Sequence, residues 1–264
     1  MGVNLTNGRF RDDVPAVLQR ARSHAVSPLL LTGTDLDSSA AAIGLCAVHS
    51  DLFCTAGIHP HDAAGAPDDW ADRLRTLAAN PAVRAIGETG LDFNRNYSPP
   101  EAQRALFAGQ IVLAGDLGKP LFVHDRDTGG AVYEMLAERS PTVPDVVVHC
   151  FTGNRVDLER YLEAGYYIGI TGWVCDPSRG DELRSLVPDI PIDRLLVETD
   201  APFLFPAGAS APAAGRKHRN EPCLLPYVIN EIARLRNVHS DAIAAATTSN
   251  ARALFSLPVS DVNT

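Results

Sequence analysis

The chain has 264 residues, with 32 Asp and Glu against 23 Lys and Arg, a formal net charge of −9. Such a balance excludes a protein that wraps duplex nucleic acid over a broad basic surface, because most of its exterior repels phosphate; any contact of that kind is confined to a local basic mouth. The length suits one domain over residues 1–264 with a sizeable core.

The pattern alternates short apolar runs with helical stretches. A short strand is expected at Gly2–Asn4, a helix over Asp12–Ser23, a strand at Pro28–Thr32 and a helix over Asp37–His49. A strand at Phe53–Ile58 leads to a helix over Trp70–Ala79. The next strand, Val83–Gly87, precedes a long helix over Pro100–Leu117, whose prolines stand where a first helical turn tolerates them. Later strands end near Val123, Val148, Ile170 and Thr199, interleaved with helices at Ala131–Arg139, Arg155–Ala164 and Glu182–Leu186. Pro202–Pro222 reads as the loop after the last strand, and helices over Leu225–Arg236 and Asp241–Phe255 close the chain.

Ligand-type residues recur directly after the apolar runs. Glu88 follows Ala85-Ile86-Gly87, His124 follows Pro120-Leu121-Phe122-Val123, His149 follows Val146-Val147-Val148, and Asp200 follows Leu195-Leu196-Val197-Glu198-Thr199. Ala56-Gly57-Ile58 leads into His59-Pro60-His61. Eight strand and helix units with acids and imidazoles at the strand ends define an α/β (β/α)₈ TIM barrel, in which all strand C-termini meet on one catalytic face.

These motifs resemble the TatD family of metal-dependent deoxyribonucleases. The resemblance rests on Gly2-Val3-Asn4-Leu5-Thr6, Gly57-Ile58-His59-Pro60-His61-Asp62, Gly87-Glu88-Thr89-Gly90-Leu91-Asp92, His149-Cys150-Phe151-Thr152-Gly153, Ile170-Thr171-Gly172-Trp173 and Glu198-Thr199-Asp200-Ala201-Pro202. It extends through Asp92-Phe93-Asn94-Arg95-Asn96 and Arg219-Asn220-Glu221-Pro222. It implies an amidohydrolase-type barrel, phosphodiester hydrolysis and exonuclease action from the 3′ end. Many members carry an H-x-H pair in the first strand; Gly2 and Asn4 stand at those positions here, so the metal site those histidines serve is depleted. The family pattern also has a few residues ahead of Gly2, so either the first strand is abbreviated or the start codon is misplaced.

From the chemistry of the residues, Glu88, His124 and His149 offer one carboxylate and two imidazoles from neighbouring strands, enough to surround a divalent ion while leaving coordination positions open. Affinity alone favours Zn²⁺, Mn²⁺ or Fe²⁺; the family resemblance points to Mg²⁺ or Mn²⁺. Asp200 is expected to act as the general base that orients the attacking water and to contact a second, weakly held ion, against the plainer reading of a cap or turn residue. His59, nearer the strand end than His61, is expected to meet the scissile phosphate or a second ion. The plainer reading of both, and the favoured one for His61, is a surface loop histidine.

Arg126, Arg95 and Arg219 are the expected phosphate contacts, with Arg216, Lys217 and His218 in the same loop as Arg219. Phe93 and Trp173 are the expected platforms for a terminal base, although aromatics at a barrel mouth commonly serve packing. The expected substrates are single-stranded DNA 3′ ends and also RNA, acted on by a monomer. The rivals are an amidohydrolase or aminoacyl-tRNA deacylase on the same barrel, which an apolar mouth would favour, and a non-catalytic family member.

Cys46, Cys54, Cys150, Cys175 and Cys223 are odd in number and show no C-x-x-C spacing, which argues against a disulfide framework and for the cytoplasm. No apolar run approaches the roughly 18 residues of a membrane span, and no signal peptide is legible. Met1–Thr6 fits a lipidation pattern, but nothing polybasic follows it and it reads equally as a first strand.

Overall fold

The computed structural model describes residues 1–139, 142–212 and 218–258. Among them, β1 (Leu29–Leu31), β2 (Leu52–Ala56), β3 (Val83–Asp92), β4 (Leu121–Arg126), β5 (Val146–His149), β6 (Tyr167–Ile170) and β7 (Leu195–Val197) form one parallel sheet in chain order. Helices α1 (Val14–Ser23), α2 (Leu36–Val48), α3 (Trp70–Ala78), α4 (Pro100–Leu117), α5 (Ala131–Arg139), α6 (Arg155–Glu163) and α7 (Asp181–Leu186) alternate with the strands, and α8 (Leu225–Arg236) and α9 (Ser240–Leu254) follow β7. Local chemistry sets several helix ends. Asp35 with Ser38 and Asn154 with Asp157 form reciprocal caps that start α2 and α6, while α4 begins on Pro100 and ends at Gly118 in the left-handed region.

The sheet curls until its edges meet at Val3. This residue bridges Leu31 on one side and Ala201 on the other, both in parallel sense. The expected first strand at Gly2–Asn4 is therefore reduced to one bridging residue. Four backbone bonds reinforce it: Val3 N to Leu30 O at 3.3 Å, Thr32 N to Val3 O at 2.9 Å, Asn4 N to Ala201 O at 2.8 Å and Thr199 N to Met1 O at 3.1 Å.

Alternation along the strands divides the side chains between two cores. Leu29, Leu31, Cys54, Val83, Ile86, Leu121, Val123, Val146, Val148, Ile168 and Leu195 belong to the large core shared with the helices. Leu30, Phe53, Ala85, Phe122, Val147 and Leu196 face one another inside the barrel, where Leu254 and Phe255 join them. Two residues further on, His124 of β4, His149 of β5 and Glu198 just past β7 continue the same face, so the functional layer rests on an apolar floor.

Strand limits differ from the sequence reading in an informative way. β3 does not stop at Gly87: its register against β4 shifts between Ile86 and Thr89, and pairing then resumes from Thr89 with Val123 to Asp92 with Arg126. A bulge of this kind re-aims one side chain without ending the strand. β4 correspondingly runs past Val123 to Arg126. β7 ends at Val197, although the next two amides still bond to the neighbouring segments, Glu198 N to Ile170 O of β6 at 2.8 Å and Thr199 N to Met1 O at 3.1 Å.

Beside the seam lies a buried ion cluster. Arg219, only 2% exposed, donates to both carboxylate oxygens of Asp13 at 2.9 and 2.8 Å, to Arg9 O at 2.8 Å and to Glu221, while Arg20 grips Glu221 at 2.7 and 3.0 Å. The Arg219 guanidinium also stacks over Phe10, 4.8 Å from its centroid. Arg219 is therefore corrected from a phosphate contact to a structural residue: its two terminal guanidinium nitrogens tie the N-terminal turn to the loop after β7. Arg216 and Lys217 lie outside the described residues. Among the described residues no helix is long and apolar enough to cross a membrane.

Removing Arg219 would leave Asp13 and the fully buried Glu221 short of countercharge. Arg219→Ala is expected to lower the unfolding free energy by about 3–5 kcal/mol. Urea unfolding followed by circular dichroism measures this, and a loss below about 1 kcal/mol, the level of an exposed ion pair, would contradict the role.

Candidate active site

The β3 bulge turns Glu88 into the barrel mouth, with its amide fixed to Gly33 O at 2.7 Å. Its Oε1 is a hub: His124 Nδ1 lies 3.0 Å away, His59 Nε2 3.4 Å and His149 Nε2 3.8 Å. Glu88, His59 and His149 are buried and His124 is half-buried. Burial pushes the Glu88 carboxyl up, but His59, His149 and His124 outweigh it and hold the group well below the usual carboxylate range. Burial lowers His59 to about 4, leaving a neutral imidazole despite Glu88. For His124 burial is overcome by Asp92 and Glu88, which raise it to about 9; for His149 it is overcome by Glu198 and Glu88, which raise it to about 10.

Asp92 and His61 form the next layer. Asp92, at the end of β3, accepts from His61 Nε2 at 2.7 Å and from the amides of Asn94 and Arg95 at 3.0 and 2.8 Å; His124 Nε2 lies 3.4 Å from it. Burial would raise the Asp92 carboxyl, but His124 and His61 hold it far below its ordinary value. His61 is thus more than a surface loop histidine.

Two buried glutamines of α4 peg these loops. Gln103 accepts from Asp92 N at 2.8 Å and donates to Asp92 O and Ser98 O at 3.1 and 2.7 Å, while Gln110 accepts from Ile58 N and donates to Ile58 O, both at 2.9 Å. Their spacing of seven on a helix otherwise buried through Leu106, Phe107, Ile111 and Ala114 was the sequence signal for such pegs.

On the opposite wall Glu198, fully buried, bonds His149 Nδ1 and leaves Nε2 as the donor facing the cleft. Two glycines make room for it. A Cβ on Gly169 would fall inside the Glu198 carboxylate, and one on Gly2, whose φ is +71°, would meet Glu198 Oε2 at 2.8 Å and His149 Cε1 at 3.4 Å. A first-strand histidine at position 2 is thereby excluded by the room that Glu198 takes. Asp200 lies 3.8 Å from His149 Nε2 and accepts from Asn4 Nδ2 at 3.2 Å. Burial, opposed by His149, raises its carboxyl to about 7.

His59, His61, Glu88, Asp92, His124, His149 and Asp200 line a cleft of about 560 Å³ together with Arg95, Arg126, Trp173, Arg179 and Phe203. Arg126 makes only long contacts, 3.4 Å to Thr152 Oγ1 and 3.9 Å to Asp127. The Trp173 ring is already flanked by Arg126 and Arg179, 4.9 and 4.3 Å from its centroid, and the second guanidinium is anchored to Asp176 at 2.9 and 2.6 Å. Phe93 does not line the cleft; it packs on the core under Arg104, 5.3 Å away, and so is corrected from base platform to packing residue. Phe203, 47% exposed at the rim, is the aromatic left open.

The donor set suits a divalent ion. Bonds of about 2.1 Å place adjacent ligand atoms about 3.0–3.5 Å apart, close to the 3.0 and 3.4 Å observed around Glu88 Oε1. His59, Glu88 and His124 form one group able to hold an ion, and a buried ring nitrogen of His124, Nε2, has no hydrogen-bond partner. His149, Cys150 and Asp200 form a second group.

A parallel barrel with a histidine and carboxylate centre at its strand ends defines a hydrolase of the metal-dependent barrel class. The TatD related DNase family model matches residues 1–256, and the chain belongs to that family. It is 46% identical over 259 residues to "3′-5′ ssDNA/RNA exonuclease TatD" of Edwardsiella piscicida, covering 97% of this chain and 98% of the relative. The Erwinia amylovora protein of the same name is 48% identical over 258 residues, covering 97% and 99%. Among solved structures, the TatD homologue YjjV of Escherichia coli superposes with a TM-score of 0.89 at 28% identity, covering 98% of this chain and 97% of that one.

Gln110→Ala would strand the buried amide and carbonyl of Ile58, one residue before His59. It is expected to lower stability by about 2–4 kcal/mol and to weaken divalent-ion binding, whereas Gln110→Glu keeps an acceptor and should retain more of both. Thermal melts with calorimetric ion titration test this; unaltered ion binding in the alanine variant would show that the peg does not position His59.

Proposed function

We propose that this chain is a divalent-metal-dependent exonuclease that trims single-stranded DNA, and RNA as a second substrate, from the 3′ end. The observation that carries the reading is the Glu88 hub, an anionic carboxylate ringed by imidazole nitrogens at 3.0–3.8 Å at the base of a cleft edged by arginines. In this proposal Glu88, His124 and His149 hold the ion, Asp200 contacts a second one, and His59 meets the scissile phosphate or shares the ion. Mg²⁺ or Mn²⁺ is the proposed occupant, with Zn²⁺ compatible with the donors. When bound, such an ion polarises a phosphoryl oxygen and makes water more acidic.

The remaining work falls to the chain itself. Asp200, held by Asn4, orients the attacking water and accepts its proton. Glu198 fixes the ring of His149 through Nδ1, as an outer carboxylate does for a ligating imidazole. Arg126 and Arg95 bind the strand's phosphates, and Trp173 supports Arg126 through its ring rather than offering an open stacking face. Phe203 supplies the platform for an unpaired terminal base. Arginines at the mouth favour a phosphate substrate over that of an amidohydrolase or aminoacyl-tRNA deacylase. The five free cysteines support a reducing cytoplasmic setting.

Glu88→Ala, His124→Ala and His149→Ala are expected to reduce kcat by more than about a thousandfold, an effect of losing the ion together with the transition-state stabilisation it supplies, with weaker ion binding and an intact fold. Calorimetry on folded variants decides it: normal ion affinity in all three would refute the ligand assignment.

With 5′-labelled single strands and Mg²⁺ or Mn²⁺, the labelled product should shorten one nucleotide at a time, and blunt duplex should be cut poorly. Circular single-stranded DNA should stay intact; its rapid cleavage would refute entry from an end. Arg126→Ala should raise KM by roughly tenfold, about one charge-assisted contact, and Phe203→Ala by a similar factor for loss of stacking.

A further inference from the structure

The second donor group differs in kind from the Glu88 hub. A donor atom from each of His149, Cys150 and Asp200 lies within 4.8 Å of the other two, and all three residues line the cleft. Because Glu198 occupies Nδ1 of His149, Nε2 is the nitrogen left to this group, 3.8 Å from Asp200 Oδ1. The Cys150 sulfur has Thr171 Oγ1 at 3.3 Å, a hydroxyl able to donate to a thiolate, and Asn4 steadies the Asp200 carboxylate. One nitrogen, one sulfur and one oxygen, with the open cleft as a fourth position, is the composition of a tetrahedral zinc site. Hard Mg²⁺ has no preference for sulfur, whereas Zn²⁺ and Cd²⁺ do.

We propose that His149, Cys150 and Asp200 form a capture site for a thiophilic divalent ion, Zn²⁺ or Cd²⁺, and that filling it arrests the hydrolase. Binding breaks the Cys150 S–H bond, forms a sulfur–metal bond and releases the proton to solvent, with no change of oxidation state. Tetrahedral donors stand about 3.3–3.8 Å apart, so the group closes in by at most about 1.5 Å from its present spacing. Arrest follows because the captured ion takes the Asp200 carboxylate and the free nitrogen of His149 out of use. This half of the inference rests on the roles given to them under the proposed function.

The test titrates the full chain with Cd²⁺ and reads the thiolate-to-cadmium charge-transfer band. A band is expected in the wild type, and Cys150→Ser should lose the part due to Cys150 and weaken Cd²⁺ binding by more than about tenfold. In the wild type, Zn²⁺ but not Mg²⁺ should protect Cys150 from alkylation, mapped by mass spectrometry, an arm that needs no variant to fold. The Zn²⁺ concentration that halves Mg²⁺-supported cleavage should rise by more than about tenfold in Cys150→Ser, relative to that variant's own activity. An unchanged band in Cys150→Ser, or equal alkylation with and without Zn²⁺, overturns the site; capture without inhibition overturns the arrest. Absence of any Mg²⁺- or Mn²⁺-dependent cleavage would defeat the proposed function while the band and alkylation still score the site.

Discussion

A carboxylate that stays ionised in a nearly dry barrel mouth has to be surrounded by compensating groups, and the architecture around Glu88 follows from that demand. The β3 bulge points the side chain inward, β4 and β5 each contribute an imidazole from the same inward face, and the loop after β2 brings a third. Each imidazole is itself held by a further acid or a backbone group. His124 lies between Glu88 and Asp92, His149 between Glu88 and Glu198, and the His59 ring accepts from the His61 amide at 3.1 Å. The centre is therefore a continuous set of alternating acids and imidazoles, in which no member can be moved without exposing its neighbours to an unpaired charge.

The ends of the apolar runs were legible in the sequence because an inward-facing polar residue after a buried strand has no other economical explanation in a parallel barrel. Glu88, His124, His149 and Asp200 were found that way, and His59 through its place after Ile58. Asp92 was not, since the bulge lets β3 continue where Gly87-Glu88 looked like its end. Glu198 was read as part of a strand rather than as a group bonded to His149, because its partner is 49 residues away in the chain. Gln103 and Gln110 were hidden among the ordinary polar positions of a long helix. Arg219 misled because a basic loop residue looks the same in sequence whether its fork meets a phosphate or an aspartate.

Charge is distributed so that the overall acidity and an anionic substrate are compatible. Many guanidiniums are occupied by the chain's own carboxylates: Arg20 and Arg219 at the seam, Arg22 with Asp51, Arg75 with Asp116, Arg184 with Asp181 and Arg234 with Glu231. Arg126, with no close carboxylate partner, keeps its positive field directed into the cleft. The chain's overall net charge of −9 then restricts approach to that opening.

The seam at Val3 joins segments far apart along the chain. Met1 pairs with Thr199, Asn4 with Ala201, and Asp13 with Arg219, separated by as many as 206 residues. An emerging chain can lay β1 to β6 side by side while its first residues still have half of their partners missing, and the cylinder cannot shut until the segment around Ala201 has left the ribosome. Until then the far side of the Val3 segment lacks the Ala201 backbone it pairs with, a period in which the nascent protein offers an open strand to any neighbour or chaperone able to occupy it.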